Sequence, residues 1–322
     1  MSSLQTRLTE FLNIEHPIIS APMAFAATGQ LAAAVSAAGG LGLIGGGYGD
    51  ADWLTAAFDE SGNQPVGCGF ITWSLAENPS LLDLALERSP QAMMFSFGDA
   101  STFVEKTKAQ GIKSICQVQS VAQAIEAAKW GADIIIAQGS EAGGHGAIRA
   151  TLPLVPAIVD AVGDRSIVVA AGGIADGRGL AAALTLGAEG VLMGTRFYCA
   201  SEAAVDEEAH DLAIDATGDN TVKSSVIDHV RGKNWPSPYK LHTLPNVYLD
   251  KWHGNEEALI ARADEEMATY DQAGVVRDYN TRAVIVGEGV GLVASTEPAA
   301  AIIENCVAEA VGSLRGSFAL VR

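Results

Sequence analysis

The sequence predicts an α/β fold: a (β/α)8 barrel that carries a mostly helical insertion after its eighth strand. Three observations predict it. Eight short apolar runs alternate with helical patterns at a spacing of roughly 20–25 residues. Each run is nearly continuous in apolar residues, as a parallel strand covered on both faces requires. The alternation then breaks near residue 200, and a glycine-rich apolar run returns only at 283–293.

In chain order, HPIISAPM (16–23) is followed by the helix pattern GQLAAAVSAAG (29–39). GLGLIGG (40–46), PVGCGFITW (65–73), AMMFSFG (92–98) and KSICQVQ (113–119) come next, the last leading into SVAQAIEAAKWG (120–131). ADIIIAQG (132–139), SIVVAAGG (166–173) with the helix GRGLAAALTLGA (177–188), and EGVLMGT (189–195) complete the set of eight. That number matches a closed barrel; a doubly wound open sheet has the same alternation and stays as the alternative. Residues 201–283 are charged, rich in helix formers, and centred on RGKNWPSPYKLHTLPNVYLDKWHG (231–254). The predicted division is a barrel over 1–200, completed by 284–322 with the amphipathic segment EPAAAIIENCVAEAVGSL (297–314), and an insertion or lid over 201–283.

Hydrophobic residues make up 48% of the 322 positions, ample for a large buried core. The net charge of −18 argues against nucleic acid or an anionic membrane as partner, since both require a basic footprint. No apolar stretch approaches the roughly 20 residues of a membrane span, and MSSLQTRLTEFLNIEHP lacks the apolar core of a signal peptide. Cys68, Cys116, Cys199 and Cys306 are far apart and form no CxxC, so they read as reduced, buried thiols. No two histidines stand at i,i+4 on a helix, which leaves no metal site to predict. The expectation is a soluble, cytoplasmic protein acting on a small molecule.

In a barrel the C-terminal strand ends build the active site. Glycines cluster there in AAGGIADGRG and MGTRF, after the seventh and eighth strands, with Thr195 beside Gly194 and a helix start at Asp176–Gly177. Backbone N–H groups and a helix N-terminus at that place suit a phosphate. Gln117 and Gln138 end the fifth and sixth strands as amides in apolar runs. Such amides either meet the edge of a heterocycle or are satisfied by backbone, and both readings stay open. Pro22 and Met23 could pack beside a flat ring, although spacing alone favours an ordinary strand end. His145 follows the sixth strand in AQGSEAGGHGA, a glycine loop open to a ligand, and imidazole is the side chain best suited to take a proton near neutrality. Glu141 could orient His145, bind another group, or be solvated.

Together, APMAFAATGQLAAAVSAAGGLGLIGGGYGD, GFITW, FSFGD, AQGSEAGGHGA, AAGGIADGRG and VLMGTRFYCASEA resemble the nitronate monooxygenases, formerly called 2-nitropropane dioxygenases. The resemblance runs over most of 14–205, resumes at GEGVGLV, and is nearest the subgroup typified by fungal enzymes. It implies a TIM-type barrel that binds FMN non-covalently. On that resemblance Pro22, Met23 and Ala24 lie along the flavin, Gln117 and Gln138 near its ring edge, and Gly143 beside it. Gly173, Gly194 and Thr195 hold the phosphate, and His145 is the catalytic base.

The implied reaction is oxidative denitrification of an alkyl nitronate or nitroalkane with O2, giving a carbonyl compound and nitrite. The sequence departs from the resemblance at two places. Gly69 stands where many bacterial members carry asparagine, and WPSPYKLHTLPN replaces the expected YDGRALRN-like segment. The rival readings are an FMN-dependent NAD(P)H:quinone or enoyl-thioester reductase and a non-catalytic barrel for a phosphorylated metabolite. The sequence leaves a homo-oligomer open.

Overall fold

The computed structural model describes residues 4–320. Eight parallel strands form one sheet: β1 (Ile18–Ser20), β2 (Leu43–Gly45), β3 (Gly67–Ile71), β4 (Ala92–Ser96), β5 (Lys113–Val118), β6 (Ile134–Gln138), β8 (Ile167–Ala171) and β9 (Val191–Met193). Three further strands, β7 (Gly144–Gly146), β10 (Val222–Ser224) and β11 (Lys240–Thr243), make a small antiparallel sheet in the order β10-β11-β7. All eight predicted runs contain a strand of the large sheet.

The large sheet closes. Its order runs β1-β9-β8-β6-β5-β4-β3-β2, and a parallel bridge between Ile19 and Leu41 joins the two ends. The Ser20 N–H donates to the Leu41 carbonyl, and the Leu41 N–H donates to that of Ile18, each at 3.0 Å. The closed barrel therefore holds and the open sheet does not.

Period-2 alternation explains what fills it. Along β6, Ile134 and Ile136 belong to the inner cluster with Ile115, Val169, Met94 and Leu192, whereas Ile135 and Ala137 pack outward against the helices. The same alternation carries Gln138 and Gln117 to the topmost inward layer, above the apolar plug. At the other end Leu8 and Leu12 stopper the barrel from the helix Arg7–Leu12. That helix starts with a Thr6/Thr9 capping box and stops at Asn13 in the left-handed conformation.

After residue 283 the chain packs against helices of the barrel. Helix Ala299–Phe318 packs on helix Gly177–Thr185 so closely that a Cβ on Gly177 would stand 2.2 Å from the Cys306 carbonyl oxygen. Buried Arg196 pairs with Glu297, and Glu202 caps the helix at the Ala299 N–H. Residues 201–283 hold five α-helices and the strands β10 and β11. The strands were not expected.

Candidate active site

Above the apolar plug, the C-terminal strand ends enclose a cavity of about 370 Å3, within the range of small-molecule sites. Pro22, Met23, Ala24, Gln117, Gln138, Gly143, His145, Gly173, Gly194 and Thr195 all line it. The barrel thus brings every site residue expected from the sequence to one place. Their surroundings differ from the expectation in several respects.

His145 is not in a free loop. It lies in β7, paired with Leu241 of β11, and its side chain is buried. The Gly-His-Gly run gives no strand pattern, and its partner lies almost a hundred residues on, so the pairing was invisible locally. The neighbouring glycines serve close approach: a Cβ on Gly143 would stand 2.6 Å from the Gly287 nitrogen, and one on Gly287 would stand 2.3 Å from the Gly143 nitrogen. His242 of β11, buried behind this ladder, holds the Ala142 carbonyl through Nδ1 at 2.9 Å.

The imidazole Nε2 of His145 is 2.9 Å and 3.0 Å from the two carboxylate oxygens of Asp228. Asp228 is buried in the helix Val226–Val230. A carboxylate there accepts the Nε2–H, so a neutral ring carries its basic lone pair on Nδ1. Trp235 lies flat on the imidazole, ring centroids 3.3 Å apart and planes 8° from parallel. Burial pushes the His145 pKa below the ordinary histidine value; Asp228 opposes that shift and Arg231 reinforces it. The lowered pKa favours the neutral ring near pH 7, and Asp228 stands where it would act as counter-ion to the protonated form.

Glu141 does not orient His145. Its carboxylate accepts from the Thr151 N–H and hydroxyl and so fixes the start of the helix Thr151–Val162. Gln138 takes part of the orienting role instead: its amide N–H donates to the His145 carbonyl at 3.0 Å, while its oxygen accepts from Gln119 at 2.8 Å. Both ends of the Gln138 amide are thus bonded within the protein, one to backbone and one to a side chain.

The helix start at Asp176–Gly177 is where the sequence placed it, but its charge is already matched. Asp176 accepts from the Gly179 N–H and Glu309 from the Gly177 N–H. Two carboxylates therefore occupy the positive end of helix Gly177–Thr185, and an anion in the cavity would rely on the glycine turn and Gly194–Thr195. Gly172 and Gly173 take the left-handed backbone that the turn needs, at φ +105° and +71°. The Thr195 hydroxyl accepts from the Gly287 N–H at 3.0 Å, which brings GEGVGLV against the same corner.

Gly69 explains its own departure from the bacterial pattern. A Cβ there would lie 2.4 Å from Pro22 Cγ, so this wall of the cavity is built for glycine. Sequence reasoning missed Asp228, Trp235, Tyr48 and Arg231, although the last two line the cavity with Trp235. The Trp235 Nε1–H donates to the Tyr48 hydroxyl at 3.0 Å, and Phe97 stands edge-on to Trp235.

Among the described residues no cluster of His, Cys, Asp and Glu could hold a metal, and no helix is long and apolar enough to cross a membrane. The four cysteines are free and buried; burial raises all four thiol pKa values, to about 12 for Cys116 and Cys306 and about 11 for Cys199.

The family model described as nitronate monooxygenase matches residues 5–62 and 73–309. The nitronate monooxygenase npaC of Metarhizium robertsii is 36% identical, with 89% of each chain covered. The nitronate monooxygenase of Neurospora crassa is 34% identical over 96% of this chain and 94% of its own. A Rhodococcus jostii protein, (3aS,4S,5R,7aS)-5-hydroxy-7a-methyl-1-oxo-octahydro-1H-indene-4-carboxyl-CoA dehydrogenase, is 37% identical over 82% of this chain and 72% of its own. Among solved structures, FabK from Thermotoga maritima superposes with a TM-score of 0.88 at 32% identity, covering 99% of this chain and all of that one. A closed barrel with a buried histidine at its mouth thus coincides with similarity over nearly the whole chain: this protein belongs to the nitronate monooxygenase family, whose members depend on flavin, and it is a nitronate monooxygenase-like oxidoreductase.

Proposed function

We propose that the flavin is FMN and that the reaction is oxidative denitrification of alkyl nitronates and nitroalkanes by O2. The observation that carries this reading is His145: a buried imidazole on the cavity wall, with Asp228 behind it and a pKa pushed down by burial. The glycine-lined mouth fits a flat, phosphorylated cofactor. Pro22, Met23, Ala24 and Gly143 would lie along its ring, Gln117 and the spare N–H of Gln138 at the ring edge, and Gly173, Gly194 and Thr195 at its phosphate.

The chemistry supplied by such a flavin is removal of an electron from the nitronate, with O2 completing conversion to a carbonyl compound and nitrite. The protein's own residues do the rest. Nδ1 of His145 removes the α-proton of a neutral nitroalkane, and the C–H electron pair moves onto the nitro group. Asp228 stabilises the imidazolium that results, and the aromatic wall keeps water away from it. Residues 201–283 act as the cover of the barrel mouth, which the β7–β11 pairing supports. The reduced, buried thiols support a cytoplasmic setting.

Anaerobic mixing of the purified, FMN-loaded protein with ethylnitronate tests the reading: the flavin absorbance should bleach within the time of turnover. The Rhodococcus relative's name favours one alternative, redox chemistry on an acyl thioester. Bleaching by NADH, with none by ethylnitronate, would overturn the nitronate reading in favour of the reductase.

A further inference from the structure

Among the described residues seven arginines pair with carboxylates (Arg7, Arg88, Arg165, Arg178, Arg196, Arg262 and Arg277), and none of them lines the cavity. Two arginines do line it, Arg231 and Arg282, and among the described residues neither has a carboxylate in ion-pair reach. This is unusual in a chain with 38 acidic and 20 basic residues. Arg282 lies over the Tyr270 ring, against Gly274. Arg231 is at the end of the helix that carries Asp228, three residues on, with its guanidinium 5.2 Å from the Tyr48 ring centroid. Tyr48 bonds to Trp235, and Trp235 covers His145. Arg231, Tyr48, Trp235 and His145 therefore form one continuous wall. The base and an uncompensated cation face the same space.

An unpaired guanidinium at a partly buried wall attracts an anion more strongly than it would in water. Its five donors form a planar fork that matches two oxygens on one centre. A nitro group presents two such oxygens, and they gain the negative charge when the α-carbon loses its proton. We propose that Arg231 is the nitro-binding group of this enzyme: it receives the nitronate anion and stabilises the charge that develops on the nitro oxygens as His145 takes the proton.

This rests on the nitronate reading for its substrate. In the step, the Cα–H bond breaks and the N–H bond on His145 forms. The electron pair becomes the C=N bond of the nitronate, and the displaced charge rests on the nitro oxygens beside Arg231. No oxidant is consumed. Arg231 thus distinguishes nitro substrates, which concentrate charge on two coplanar oxygens, from thioesters, which develop it on one.

The test uses the flavin-loaded protein and sodium nitrate, a planar oxyanion that the enzyme cannot oxidise, titrated by tryptophan fluorescence, since Trp235 lies in the same wall. Nitrate should bind the wild type, and Arg231→Met should weaken it roughly 10–100-fold, the range for losing a charge-assisted hydrogen-bond pair. KM for ethylnitronate should rise by a similar factor. Arg231→Lys, which keeps the charge but not the fork, should weaken nitrate by a smaller factor of about 3–10 and serves if the methionine variant does not fold. Nitrate affinity unchanged in either folded variant would overturn the assignment. If the wild type binds nitrate through Arg231 but turns over no nitronate, the anion site stands and the nitronate reading falls.

Discussion

Replacing Asp228 with asparagine separates proton abstraction from the rest of the reaction. Asparagine keeps an acceptor for the Nε2–H of His145, so the tautomer with its lone pair on Nδ1 survives, but the counter-charge 2.9–3.0 Å from the ring is gone. At an effective dielectric of about 20, two unit charges at 4 Å interact by about 4 kcal/mol. Part of this returns because the buried carboxylate no longer has to be kept ionised. A net loss of about 2–3 kcal/mol in stabilising the imidazolium is the working figure, or roughly 30–150-fold in rate.

The assay is oxygen uptake with neutral nitroethane and, separately, with pre-formed ethylnitronate. The first should lose roughly 30–150-fold in kcat/KM, whereas the second, which needs no proton removed, should stay within about threefold. The pH profile gives a second readout. His145 must be neutral to act, so activity on nitroethane falls as pH drops through its pKa, which lies below the ordinary value of 6.5. Asp228 raises that pKa against burial and Arg231, so its loss should move the acidic limb to still lower pH. Equal losses on both substrates, or an acidic limb displaced upward, would refute the pairing as the basis of catalysis.

Three other outcomes follow from the same structure. His145→Asn should abolish turnover of neutral nitroethane while leaving ethylnitronate oxidation, measured by nitrite release, within a few-fold of wild type. Gly177→Ala should drive the C-terminal helix off its neighbour, because the added methyl meets the Cys306 carbonyl at 2.2 Å; a cost of about 1–3 kcal/mol reads as a fall of roughly 1–5 °C in Tm for a chain of this length. The four thiols should resist an aromatic disulfide reagent at pH 8 in the native protein and react stoichiometrically in denaturant, since all four are buried and burial pushes the Cys116 and Cys306 thiols up to about 12.

The barrel was legible because its strands are buried on both faces, and burial on both faces writes itself as unbroken apolar runs such as IIIAQ and IVVAA. Gln117, Gln138, His145, Gly173, Gly194 and Thr195 were legible as candidates for the same reason: where a strand is recognised, its end is known, and barrels put their chemistry there. Spacing alone favoured an ordinary strand end for Pro22 and Met23, and Ala24 and Gly143 came only from the family resemblance, yet all ten line one cavity. Asp228 was not, since it reaches His145 from 83 positions away and sits in a short helix with no distinguishing pattern. Trp235 looked like part of an aromatic, proline-rich stretch, and only folding laid it on the imidazole. Asp176 shows the opposite case. The sequence located the helix start correctly, but the Glu309 carboxylate that also binds there comes from the far end of the chain.

The ladder between β7 and β11 has a consequence for how such an enzyme can change. Segment 201–283 supplies Asp228 and Arg231, which shift the His145 pKa in opposite directions, Trp235 and Arg231 on the cavity wall, and also the strand that pairs with the backbone of His145 itself. Remodelling this segment to admit a different substrate would therefore change the electrostatics around His145 at the same time. Chimeras that exchange residues 201–283 alone should show altered substrate range and altered pH response inherited together, as one trait.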